Sequence, residues 1–112
     1  MSMKRLMPAR ADRWVEILVL SHDMLDAASA ERWDRLSELE VERWKHLSVV
    51  FSPAPGEDEA REVASCISEL LSLDGMILER LGRARQETSA ELLTLRRGRE
   101  ASSAYGEGAA LA

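Results

Sequence analysis

The chain has 112 residues, 46% of them hydrophobic and 31% charged, with a net charge of −5. That is enough apolar matter for one packed domain and too much for wholesale disorder. Aromatics are only 4% and all 3 prolines stand at or before position 55, so the Gly-rich turns and β-branched alternation of a sandwich are missing. The acidic balance also argues against a general nucleic-acid binder, which carries a basic excess.

In chain order, residues 1–7 read as a loose arm. Pro8 suits the first turn of a helix, where its missing N–H costs nothing. Trp14, Ile17, Leu18, Ser21, Leu25 and Ala28 follow at helical spacing, widened by Val15, Leu20 and Met24. This predicts a first helix over 9–28. Ser29 fits an N-cap and Glu31 an acidic first turn. A second stripe runs through Trp33, Leu36, Ser37, Glu40, Trp44, Leu47 and Phe51, with Leu39 and Val50 beside it. It predicts a second helix over 30–51. So short a link makes the two helices an antiparallel hairpin.

Ser52-Pro53-Ala54-Pro55-Gly56 is the clearest break. Beyond it, Glu57, Asp58 and Glu59 place negative charge where a helix N-terminus favours it. Val63, Ile67, Leu70, Asp74, Ile77, Leu81, Ala84, Thr88, Leu92 and Leu95 then keep heptad spacing, predicting a third helix over 57–97. Gly75 and Gly82 each cost about 1 kcal/mol of helix propensity and allow a kink or split. Unbroken, this helix would span about 60 Å against about 30 Å for each hairpin arm. It must overhang the hairpin, fold back or pair with another chain. The expected fold is all-α, an antiparallel helical hairpin packed on a long third helix, a three- to four-helix bundle. Its domain is 1–97, with Gly98 capping the helix and 98–112 a flexible or weakly docked tail. Trp14, Trp33, Leu36, Trp44, Leu47, Ile67, Leu70 and Leu81 are the expected core.

Chemistry is thinly supplied. One cysteine, Cys66, excludes an internal disulfide and a multi-Cys zinc site. It lies mid-helix with no histidine at useful spacing, so it reads as a small, half-buried core residue. His22 with Asp26 cannot fill a coordination shell, with or without Asp23; His46 stands on another helix. No phosphate loop follows a strand. The sequence therefore gives no catalytic, cofactor or metal residues. No run approaches the roughly 20 apolar residues of a membrane span, and Met1–Arg10 lacks the apolar stretch of a secretory signal. The expected compartment is the cytoplasm. Arg96-Arg97-Gly98-Arg99 reads as cations at a helix C-terminus rather than as a nucleic-acid contact. Glu40 and Asp74 fall on apolar stripes, with Arg43 beside the first. They either pair across the bundle or line a groove that a partner closes.

Three stretches carry a resemblance. "ERWDRLSELEVERWKHL" (31–47), "ISELLSLDGMILERLGRARQE" (67–87) and "LRRGREASSAYG" (95–106) resemble the second helix, the long third helix and the closing pattern of the FliT family of flagellar export chaperones. The resemblance implies a cytoplasmic helical adaptor of the flagellar type III export system. Its client would be a secreted subunit, the filament cap protein or another export client, kept from early assembly and handed to the export ATPase complex. Some family members also bind the master transcription regulator of flagellar genes. A chaperone of this kind needs an apolar groove for a client helix, and no cofactor. The surplus stripe of helix 3 supplies the expected client site, Ile67, Leu70, Asp74, Ile77, Leu78 and Leu81. Leu95, Tyr105 and Leu111 are the expected tail mask over it. Two rivals are a regulator- or DNA-binding protein and a structural coiled-coil homodimer.

Overall fold

The computed structural model describes the backbone of residues 3–111 and the side chains of residues 3–103. Helix α1 spans Pro8–Ser29, α2 spans Trp33–Leu47, and a 3-10 turn at Glu57–Glu59 leads into α3, Ala60–Leu111. No strand occurs among the described residues. The fold is all-α, as the periodicity predicts. It forms two compact units, residues 1–80 and residues 81–112.

Residues 3–80 hold the bundle. Contacts pair the end of α1 with the start of α2 and Trp14 with Val50 and Phe51, so the hairpin is antiparallel. The first stretch of α3 runs back alongside α1, with Val63, Cys66 and Leu70 against Trp14 and Ile17, and Ile77 against Leu20 and Met24. The buried positions of α3, namely Val63, Cys66, Leu70, Leu73 and Ile77, keep the 3–4 spacing of one helix face. Cys66 is wholly buried, and burial, reinforced by Glu69 and Glu62, pushes its thiol pKa above the ordinary 9.0.

Three boundaries differ from the sequence reading. First, the hairpin turn lies later than Ser29, which is the last residue of α1. The Arg32 N–H donates to the Ala27 carbonyl and the Glu31 N–H to the Ala28 carbonyl, the paired closure of a Schellman ending. That closure requires a left-handed residue, and Glu31 takes it with φ 57. Glu31 therefore turns the chain rather than opening α2, whose N-cap is Arg32. Second, α2 stops at Leu47 instead of reaching 51, and turns carry residues 48–52. Val49, Val50 and Phe51 are poor helix formers, and Pro53 disfavours a helical residue before it. Val50 drops into the core, while Phe51 meets the Trp14 ring edge-on at 5.9 Å. Third, α3 runs through Gly75, Gly82 and Gly98 to Leu111, not to 97. A single glycine costs about 1 kcal/mol, and Arg96, Arg97, Arg99 and Ala101 are strong helix formers around Gly98. The Arg96–Arg99 cluster consequently lies inside the helix.

The N-terminal arm is not loose from Met3 onward. Leu6 is buried and Met3 packs on the first core cluster. Glu59 holds the arm in place. One of its carboxylate oxygens accepts from the Met7 N–H at 2.8 Å, and the other accepts from Arg10 Nη1 at 3.1 Å. Arg10 Nη2 also donates to the Pro53 carbonyl. Met7 is the N-cap of α1 and the first turn of α1 has no acid. Glu59 thus supplies from 52 residues away the carboxylate that a capping box supplies locally. No pattern in the sequence announces this pair, because its members lie on different elements.

Two predictions follow from the turn and the pair. Glu31→Gly removes the left-handed penalty of about 1–2 kcal/mol, partly offset by a looser unfolded chain. It should raise the urea-unfolding free energy by about 0.5–1 kcal/mol; a loss would mean the carboxylate matters more than the backbone. Both members of the Arg10–Glu59 pair are almost fully buried, so Glu59→Ala leaves an uncompensated guanidinium. The expected loss is about 3–5 kcal/mol, whereas Glu38→Ala, which breaks the exposed Arg35–Glu38 pair, should cost less than about 0.5 kcal/mol.

Candidate functional site: the groove between α2 and α3

The α2 sequence contains two overlapping apolar stripes, and the structure buries only one. Leu36, Leu39, Arg43, His46, Leu47 and Val50 turn inward, fully or in part. Ser37, Glu40, Trp44 and Phe51 are exposed. Trp44 is therefore no core residue, with 68% of its surface exposed. Trp14 is wholly buried and Trp33 half-buried.

Electrostatics explains the choice. Arg43 Nη1 donates to Asp74 Oδ1 at 2.6 Å and to Ser21 Oγ at 3.1 Å. Ser21 in turn donates to the Ile17 carbonyl at 2.7 Å. This polar layer joins α1, α2 and α3. Along each helix it falls between residues of the two apolar clusters, as with Leu47, Arg43 and Leu39 on α2. If α2 were rotated so that Trp44 faced inward, Glu40 would enter the interior and Arg43 would leave Asp74. Both carboxylates would then lack a cation, a larger cost than leaving one tryptophan in water.

The outcome is an open depression walled by Val41, Trp44 and Leu47, with Glu40 at its edge and the Arg43–Asp74 pair at its floor. Leu71 and Leu78 lie three before and four after Asp74 and so share its side of α3. They are 64% and 66% exposed. The depression combines apolar walls with two carboxylates and one bound guanidinium, and Leu71 and Leu78 add exposed apolar surface on the Asp74 side of α3. It offers packing and hydrogen bonds. It brings together no nucleophile, base and oxyanion donor of the kind a reaction centre needs. Among the described residues no three His, Cys, Asp or Glu side chains are grouped to hold a metal ion, and no helix is long and apolar enough to cross a membrane. His22 and Asp23 are exposed on α1, and His46 Nδ1 lies 3.2 Å from Arg13 Nη1.

The sequence profile of flagellar protein FliT matches residues 11–107. The chain belongs to the FliT family of flagellar proteins. No curated protein and no solved structure matches it. The match spans all three stretches on which the resemblance rests, short of their ends by no residue of 31–47, 67–87 or 95–106.

Within this FliT-family chain the expected site residues separate. Leu70 and Ile77 are buried in the two core clusters and offer no free face, and Ile67 packs partly against the first. The core expectation holds for Leu70 and in part for Ile67, and the client expectation fails for Leu70 and Ile77, whose face packs against α1. Asp74 and Leu78 lie on the groove side. Leu81 is 37% exposed and belongs to neither core cluster. Leu95 is exposed; the side chains of Tyr105 and Leu111 lie outside the described residues. Sequence reasoning missed Val41, Trp44 and Leu71 as surface. The available signal was Glu40, a charge that cannot share the buried stripe with Arg43 and Asp74 both satisfied.

The two tryptophans should separate cleanly in urea unfolding. Trp14→Ala is expected to cost about 3–5 kcal/mol, and Trp44→Ala less than about 0.5 kcal/mol. A loss at Trp44 comparable to that at Trp14 would put α2 in the other rotation.

Proposed function

We propose that the chain is a cytoplasmic export chaperone of the flagellar type III system, and that the α2–α3 groove receives its client. The client is a secreted subunit, the filament cap protein first, held back from early assembly and passed to the export ATPase complex. Catalysis has no part in this role. The observation that carries the reading is Trp44, a large aromatic left in water beside Val41 in a depression that Asp74 of α3 also lines, on a FliT-family chain. Exposed tryptophans of this kind are the usual anchors of a protein interface. A helical groove with apolar walls suits the helix-in-groove mode. The client contacts are then Val41, Trp44, Leu71 and Leu78, with Asp74 as a polar guide. Ile67, Leu70 and Ile77 support the groove from the core.

The test is calorimetry of the full chain with purified filament cap protein. Trp44→Ala and Leu78→Asp should each weaken binding about 30-fold or more, the scale of an interface hot spot, while the helical dichroism stays unchanged. Unaltered affinity in both folded variants would remove the groove from the interface. No binding by the unchanged chain would remove the filament cap protein as client.

A further inference from the structure

The groove is not purely apolar, and its charges do not balance. Arg43 is its one cation and is turned inward to Ser21 and Asp74. It engages one oxygen of Asp74, whose side chain remains one-third exposed. Glu40 is exposed on the same wall, four residues before Trp44, and has no ion pair among the described residues. An occupant seated against Val41 and Trp44 therefore also meets the Glu40 carboxylate, which has no ion-pair partner among the described residues.

Resting on the reading that this groove takes a client, we infer that its occupant is an amphipathic helix with a Lys or Arg flanking its apolar row, and that Glu40 and the outer edge of Asp74 select that cation. A wholly apolar helix would desolvate Glu40 without a partner, which is unfavourable. An acidic flank would add like-charge repulsion to both carboxylates. A basic side chain instead gains a charge-assisted hydrogen bond at Glu40, and Trp44, one helical turn along the same wall, offers an aromatic face that favours a cation. Glu40 and Asp74 are thus specificity residues, while the apolar walls supply adhesion.

The experiment titrates the full chain with three 18-residue helical peptides that share one leucine row at i, i+3, i+4 and i+7 spacing and carry Lys, Gln or Glu along one flank. Binding is followed by the emission shift of Trp44 in a Trp14→Phe/Trp33→Phe background that retains helical dichroism, and by calorimetry on the unchanged chain. The Lys peptide should bind about tenfold more tightly than the Gln peptide, the scale of one hydrogen bond to a charged group, and the Glu peptide more weakly still. Glu40→Lys should invert the order. Asp23→Lys, the same charge change on the exposed face of α1, should preserve it. Equal binding of all three peptides, with Trp44→Ala still weakening each, would overturn the cation selection and leave the groove standing. An equal effect of Glu40→Lys and Asp23→Lys would overturn it too, by tracing the preference to net charge. Binding that ignores Trp44→Ala, or no binding by any peptide, would overturn both the selection and the groove.

Discussion

The rotation of α2 about its own axis depends on Arg43. Its guanidinium bonds Ser21 on α1 and Asp74 on α3, and a helix held at that point can present only one stripe to the core. Leu36, Leu39, Leu47 and Val50 then pack, and Trp44 is left outside. A polar layer of this kind adds little net stability, since desolvating an ion pair offsets most of its attraction. Its consequence here is a unique register, in which a tryptophan that could have filled the core instead faces solvent.

The opposite end of the bundle uses a second charge in a different way. Glu59 accepts from the N-cap amide of α1 and from the buried Arg10 at once, and Arg10 also donates to the Pro53 carbonyl, so this pair fastens the arm, the loop after α2 and the start of α3 together. Between these two polar points lies the first apolar cluster, and beyond Arg43 lies the second. The frame formed in this way fixes both walls of the groove. A chaperone that recognises its client by an exposed surface needs such fixing, because apolar walls on a loose hairpin would repack against each other rather than wait for a partner.

Much of this was legible in the residues. Periodicity placed all three helices and Trp14 in the core, the short link made the hairpin antiparallel, and "LRRGREASSAYG" with the two helical stretches pointed to the FliT family. What escaped was set by long-range contacts. The α2 stripe is ambiguous by one position, and only the distant Asp74 decides between Trp44 in and Trp44 out. Glu59 looked like one of three acids at a helix start, and its pairing with Arg10 depends on where the arm lies. Glu31 adopts a left-handed turn that glycine normally takes, so no local signal marked the end of α1. Ile77 stands in the expected client site and Leu70 in both that site and the expected core, because helical spacing reports a face and not what covers it.

The central claim is that the α2–α3 face, and not another face of the bundle, meets the export client. Photo-crosslinking in flagellated cells tests it most directly, with a photoreactive residue placed at 44 or 78 on the groove, or at 19 on the exposed side of α1. Adducts with a flagellar export subunit are expected from positions 44 and 78 and none from 19. Adducts from 19 with none from 44 or 78 would contradict it.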